Sequence, residues 1–438
     1  MTTDTIFALS SGAGRAGVAV LRLSGPMVAK VAQDLSGDVP HPREATVKLL
    51  RDPHGAPLDE AVLIYFTKPK SFTGEDVLEI HCHGSAAVVK AVLATLGQMH
   101  GCRPAVAGEF TQRAFLNGKM DLTEVEGLSD LIAADTDLQR RAALRETIGT
   151  SRDLYTRWRE ELLQAIALIE ALIDFSADED IPDAALDDAA RLLSGIVQEM
   201  QRHLDHARSS EILRDGLTVV LAGAPNTGKS SLLNALARRD VAIVTDEPGT
   251  TRDMIEVKLD LGGYPVTLVD TAGLRESQNK IEAEGIRRAL QRAEEADLVL
   301  WLQAADEQKQ NPPTDETKTW RVLSKSDLMP VLAKDKTIAL SAKTGAGIQN
   351  LLDRLSAFAQ ERFGEDGEDI VYLRERHRQL LQATSMKLRT LVANIRSTPL
   401  EIVAEDLRHA AEPLARITGH IGAEEMLGMI FSRFCIGK

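Results

Sequence analysis

The stretch GAPNTGKS, Gly223 to Ser230, satisfies G-x-x-x-x-G-K-[ST] at every position, and those residue types at that spacing bind phosphate. Its glycines let backbone N–H groups wrap phosphate oxygens, and the start of a following helix adds partial positive charge. Lys229 is placed to reach β- and γ-phosphates, and Ser230 to ligate Mg²⁺. The apolar run LTVVLA (217–222) before it and SLLNALARR (231–239) after it predict the strand, loop and helix that such chemistry needs.

Further parts of a nucleotide site follow in order. TLVDTAG (267–273) reads as a strand ending in Asp270, placed for the magnesium shell, with Gly273 able to contact the γ-phosphate. Between them DEPGTTRD (246–253) offers Thr250 and Thr251, one of which is expected to ligate Mg²⁺ only while the γ-phosphate is present. VLSKSDL (322–328) places Asp327 where a carboxylate accepts two hydrogen bonds from guanine, and SAKTG (341–345) backs the base. The nucleotide-binding set expected from these loops is Gly223, Asn226, Thr227, Gly228, Lys229, Ser230, Ser231, Thr245, Asp246, Glu247, Pro248, Gly249, Thr250, Thr251, Asp270, Thr271, Ala272, Gly273, Ser324, Lys325, Asp327, Ser341, Ala342 and Lys343. Many GTPases place a water-orienting Gln after DTAG. Here Leu274 stands there and cannot do that work, so Glu276, Glu282 and Glu284 are candidates. Their plainer reading is a solvated helix face, and pattern alone does not choose among them.

Other reactive groups give weaker signals. In SFTGEDVLEIHCHG (71–84), His81 and His83 share a strand face, yet no clear third ligand accompanies them. Cys435 is fourth from the end, where a prenylated cysteine sits, but Gly437 and Lys438 do not fit that signal. Cys82, Cys102 and Cys435 have neither disulfide-framework nor zinc spacing.

These residues need elements to hold them. The 438 residues leave room for two or three domains of ~150 residues each. A net charge of -14 argues against a chain that coats itself with nucleic acid. No apolar stretch approaches the roughly 18 residues of a spanning helix, and the N-terminus lacks a signal-peptide pattern, so a cytoplasmic protein is expected. Residues 1–116 mix β-like runs (18–24, 61–66, 77–83) with a helical run near 86–98, an α+β domain. Residues 117–213 are helical, with apolar stripes Trp158, Leu162, Ile166, Ile169, Ile173 and Leu193, Val197, Met200, Leu204. Pro182 is expected near a helix start and Asp121 or Thr123 as a cap. Residues 214–361 alternate strands and helices as a parallel α/β sheet does, and 362–438 return to helix. The order predicts a multidomain α/β protein, with a discontinuous helical domain interrupted by a P-loop G domain.

LRLSG (21–25), SFTGEDVLEIHCHG, GEFTQRAFLNGKMDL (108–122), GAPNTGKSSLLNAL, DEPGTTRD, DTAGLRE and the terminal FCIGK, in that order, resemble the MnmE (TrmE) family of bacterial tRNA-modifying GTPases. Two departures stand out: Ser324-Lys325-Ser326-Asp327 where the family pattern is Asn-Lys-x-Asp, which weakens the expected guanine contact, and HGS (83–85) in place of two glycines. The resemblance implies a Ras-like G domain and an N-terminal domain similar to folate-binding aminomethyltransferases that forms a homodimer. Arg22, Glu79, Lys119 and Lys438 match the folate-contacting positions. It further implies a potassium ion held by Asn226 with Thr245, Glu247 and Thr250, magnesium on Ser230 and Thr251, and Glu282 as the water-positioning residue. Arg275 is a switch residue. Catalytic roles fall to Glu282, Lys229 and, as acid/base, nucleophile or merely a packed thiol, Cys435. The reaction implied, with the flavoprotein partner MnmG in a heterotetramer, adds an aminomethyl-type group to C5 of the wobble uridine, using a tetrahydrofolate one-carbon unit, with most tRNA binding left to the partner. Competing readings are a ribosome-assembly or signalling switch without covalent chemistry, and an aminomethyltransferase with a degenerate G domain.

Overall fold

The computed structural model describes residues 4–174, 183–243, 256–270, 296–306, 316–328, 337–363 and 372–419, together with Phe431, Phe434 and Gly437. The chain forms two compact units, Met1–Ser129 with Thr147–Leu193 and Lys387–Lys438, and Asp130–Glu146 with Ser194–Met386.

The first unit contains a six-stranded sheet of β1 (Thr5–Leu9), β2 (Ala16–Ser24), β3 (Thr46–Arg51), β4 (Pro57–Phe66), β5 (Val77–Gly84) and β6 (Cys102–Pro104) in the order β3-β4-β5-β2-β1-β6. All neighbours are antiparallel except β1 and β6. Alternation sorts the faces. Leu21, Leu23, Leu63, Leu78 and Ile80 are buried with Val28, Val31 and Leu35 of α1 (Val28–Ser36) and with Val92 and Leu96 of α2 (Ala86–Gln98). Arg22 and Glu79, directly opposite each other in the β2–β5 register, alternate with those core residues and so take the other face. There a smaller core of Ile6, Ala8, Ala105 and Phe110 is closed by α3 (Glu109–Leu116), with Phe72 packed against it.

Helix α4 (Leu122–Ala133) starts at a reciprocal cap: Glu124 N donates to Asp121 Oδ1 at 2.8 Å, and Asp121 N donates to Glu124 Oε2 at 2.7 Å. Of the two expected caps, Asp121 is used, while the Thr123 hydroxyl donates to it. α5 (Asp137–Thr147) lies mostly in the second unit and α6 (Thr150–Asp174) in the first. On α6, Trp158, Leu162, Ile166 and Ile169 are buried as their spacing requires, while Ile173 is half-buried. On α7 (Asp183–Asp205) the buried set is Ala189, Leu193, Ile196 and Met200. Val197 and Leu204 are only half-buried, because Ala189 and Ile196 extend the stripe one position round the helix. Pro182 lies outside the described residues.

The second unit is built on β7 (Leu217–Gly223), β8 (Ala242–Ile243), β9 (Glu256–Leu261), β10 (Tyr264–Asp270), β11 (Leu298–Ala304), β12 (Thr319–Ser324) and β13 (Thr337–Ala339), ordered β13-β12-β11-β7-β10-β9-β8. The five strands from β13 to β10 are parallel, and β9 and β8 are antiparallel. Runs such as Val219-Val220-Leu221 and Leu298-Val299-Leu300 are buried throughout, as a sheet covered on both faces demands. α8 (Ala207–Asp215), α9 (Lys229–Ala237) and α10 (Ile348–Phe363) pack on it. α11 (Glu375–Asn394) spans the division between the units, and α12 (Leu400–Ile417) returns to the first. No described helix is long and apolar enough to cross a membrane.

Candidate functional site

Parallel strands send their connecting loops to one edge of the sheet, where ligands of such folds bind. The loops after β7, β12 and β13 and the end of β10 share that edge. β7 runs into Gly223, whose φ of 146° and position leave no room for a side chain: a Cβ would lie 2.2 Å from the Leu302 carbonyl oxygen. The phosphate-loop backbone can therefore press against β11. Lys229 opens α9, is almost fully buried, and donates from Nζ to the carbonyls of Gly223 (2.9 Å) and Ala224 (2.8 Å). Its ammonium is thus folded back over the loop it serves. The Ser230 hydroxyl donates to Asp270 Oδ2 at 2.8 Å, joining the loop to the buried end of β10. A hydroxyl and a carboxylate in contact are the hard oxygen donors that suit Mg²⁺. Asn226 is exposed at φ 64°, a left-handed conformation that asparagine tolerates better than most residues.

The loop expected to read the base begins at Ser324, the last residue of β12. Asp327 is exposed, and the Ser341 hydroxyl, its own backbone N–H and the nearby Lys343 ammonium hold its carboxyl below the ordinary range. Ser341 is in turn fixed, accepting from Thr344 N at 3.2 Å on its hydroxyl. Lys325 takes the left-handed conformation (φ 55°), which turns the chain between the two.

A second cluster occupies the N-terminal sheet. Arg22 donates from Nε (3.2 Å) and Nη2 (2.9 Å) to Glu79 Oε1, and its guanidinium lies 5.2 Å from the Phe72 ring centroid and 6.0 Å from that of Phe110. His81 Nε2 lies 3.5 Å from Glu79 Oε2. Lys119 Nζ donates to the Pro69 carbonyl at 3.1 Å. Behind them Arg113, nearly fully buried, pairs with Asp4, Glu75 and Glu109, and Ser24 Oγ donates to Glu75 Oε2, fastening the loop before β5. His83 turns away to Asp59 (2.8 Å), and no metal-ligand group occurs among the described residues. The tail seats against the end of β1: the Ser10 hydroxyl donates to the Gly437 carbonyl at 2.8 Å, and Phe431 and Phe434 pack with Leu122 and Val125.

Two family models cover this chain: one for the MnmE helical domain matches residues 122–435, and one for the GTP-binding protein TrmE N-terminus matches residues 5–119. The tRNA modification GTPase MnmE of Brucella anthropi is 49% identical over 99% of this chain and 98% of its own. That of Bradyrhizobium sp. is 49% identical over 99% of both. The chain belongs to the MnmE (TrmE) family. As a member, it is a tRNA modification GTPase, an enzyme that hydrolyses GTP. A solved G domain of the T. maritima FeoB iron transporter overlaps 33% of this chain and 99% of its own at 25% identity, with a TM-score of 0.25.

In this MnmE-family chain the structure brings together Lys229, Ser230 and Asp270 at one loop cluster, and Arg22 with Glu79 at another. Thr245 to Thr251, Thr271 to Gly273, Leu274, Arg275, Glu276, Glu282, Glu284, Cys435 and Lys438 lie outside the described residues. Sequence reading missed Phe72, Phe110 and Arg113, and the bond from Ser10 to Gly437. Phe72, Phe110 and Arg113 all lie inside the quoted stretches SFTGEDVLEIHCHG and GEFTQRAFLNGKMDL, but residue types alone read those only as a turn with a strand and as a capped helix.

Proposed function

We propose that this GTPase couples GTP hydrolysis to modification of C5 of the wobble uridine in tRNA, working as a homodimer in a heterotetramer with the flavoprotein MnmG in the cytoplasm. The single observation that carries the GTPase half is the joined set Lys229, Ser230 and Asp270 at the edge of the parallel sheet. Lys229 would leave its two loop carbonyls to pair with the β- and γ-phosphates, and Ser230, with Thr251, would hold Mg²⁺. Water attacks the γ-phosphorus, oriented by Glu282, and GDP leaves. A potassium ion bound there would supply positive charge against the charge that develops on the phosphates, as an arginine does elsewhere. The exposed amide of Asn226, with Thr245, Glu247 and Thr250, would hold it.

The second half rests on the Arg22–Glu79 pair flanked by Phe72 and Phe110. An acceptor carboxylate, an aromatic wall and the cations Arg22, Lys119 and Lys438 suit the N–H edge, the ring and the carboxylates of a tetrahydrofolate derivative. That group supplies the one-carbon unit when bound. Cys435, two residues before Gly437 in the sequence, is a candidate acid, base or nucleophile for that chemistry. In this reading residues 1–116 form the folate-binding, dimer-forming domain, 117–213 and 362–438 together form a discontinuous helical domain, and 214–361 form the Ras-like G domain inserted in it.

Mass spectrometry of tRNA nucleosides from a strain lacking the gene tests the whole reading. Loss of the modified wobble uridine, restored by the intact gene and not by Lys229→Ala, is expected. Unchanged nucleosides would overturn it and favour a switch without covalent chemistry.

A further inference from the structure

Ser324 occupies the first position of the base-reading loop, yet it does not face the solvent edge where a base would lie. It is 3% exposed, and its hydroxyl donates to the Thr227 carbonyl at 2.5 Å, with Gln303 O next at 3.3 Å. A hydroxyl has one proton, where an amide has two N–H groups and a carbonyl. Thr227, 97 residues away in sequence, is itself buried and donates from its hydroxyl to Ala224 O at 2.8 Å. The same Ala224 carbonyl accepts from Lys229. A chain of hydrogen bonds thus runs from the base-reading loop through the phosphate loop to the phosphate-binding lysine.

We propose that Ser324 is a positioning residue that fastens the base-reading loop to the phosphate loop and makes no contact with the nucleotide, so that guanine recognition falls on Asp327 and does not sense N7. The proposal deepens the reading of Asp327 as the guanine-binding carboxylate and rests on it. Guanine N7 is an acceptor and needs a donor. Ser324 has committed its one proton to Thr227, whereas an asparagine amide retains a second N–H for the base. Asp327, exposed and aimed by Ser341, stays available for the donor edge of guanine.

The test compares GDP with 7-deaza-GDP, which lacks the N7 acceptor, by titrating the full chain. Wild type is expected to bind the two within about twofold. Ser324→Ala is expected to weaken both equally, by roughly 5- to 10-fold, because the buried Thr227 carbonyl loses its partner. Ser324→Thr, which keeps the hydroxyl, restores binding. A wild-type protein that binds 7-deaza-GDP at least fivefold more weakly would overturn the proposal, as would a Ser324→Ala protein with unchanged affinity. An Asp327→Asn protein that still prefers GDP to xanthosine diphosphate would instead overturn the reading of the loop itself, and the proposal with it.

Discussion

Leu274 stands where a glutamine commonly orients the attacking water, and the proposed mechanism gives that duty to Glu282, outside the motif. With Glu282 in the role, its carboxylate acts on water and not on the nucleotide, so binding and turnover separate. Glu282→Ala is expected to lower kcat for GTP by roughly 100-fold or more while leaving GTP affinity within about twofold, read by single-turnover hydrolysis beside nucleotide titration. Equal losses in both would assign Glu282 to binding. Motif reading also fails to distinguish side chains that touch a ligand from those that aim others. Ser341 and Ser324 are both hydroxyls in the base-reading region, one spent on Asp327 and one on Thr227.

Elements decide where the reactive ends arrive. Gly437 sits at φ 100°, and a Cβ there would lie 2.1 Å from the Leu9 carbonyl oxygen, so the tail docks on β1 only as glycine. Gly437→Ala is expected to leave GTP turnover unchanged and to reduce tRNA modification by about tenfold or more, since small displacements of a reacting group are costly. A variant with full modification activity would show that the tail's seat is dispensable. The helices of the second unit carry their own sensitivity. Burial, and then the neighbouring His377 and His206, push His203 on α7 down to about 4. The unfolded chain takes up a proton near the ordinary value of 6.5 while the folded chain refuses it until about 4, so stability is lost as pH falls through that window. Roughly 2–3 kcal/mol of unfolding free energy is expected to disappear between pH 7 and 4, measured by urea titration, and His203→Gln should flatten the profile.

For the whole molecule, the acidic balance of -14 fits a division of labour in which a partner carries most of the tRNA contact. A cation at the phosphates would offset the charge that develops there locally. GTP hydrolysis is expected to run at least ten times faster in K⁺ than in Na⁺ at equal ionic strength, and Asn226→Ala should erase the difference. Equal rates in the two salts with wild-type protein would remove potassium from the mechanism. The pieces legible in advance were those written in contiguous residues: the phosphate loop, the strands at 18–24, 61–66 and 77–83, the helix at 86–98 and the α6 stripe. Helix α1, strand β3 and the shifted face of α7 were missed, because their patterns are short or weak and packing chose among near-equal alternatives.

By itself the sequence determined that this chain handles a nucleotide phosphate, since a phosphate loop is made by eight consecutive residues whose glycines and lysine act locally. It also determined strands at 18–24, 61–66 and 77–83, because β-like runs are written in neighbouring residues. Only the tertiary structure decided which distant groups meet. Arg22 finds Glu79 through a register set 57 residues apart, and Ser324 finds Thr227 across 97. Such pairings depend on sheet order and on which buried polar atoms must be satisfied, and both are settled when the core closes, not residue by residue along the chain.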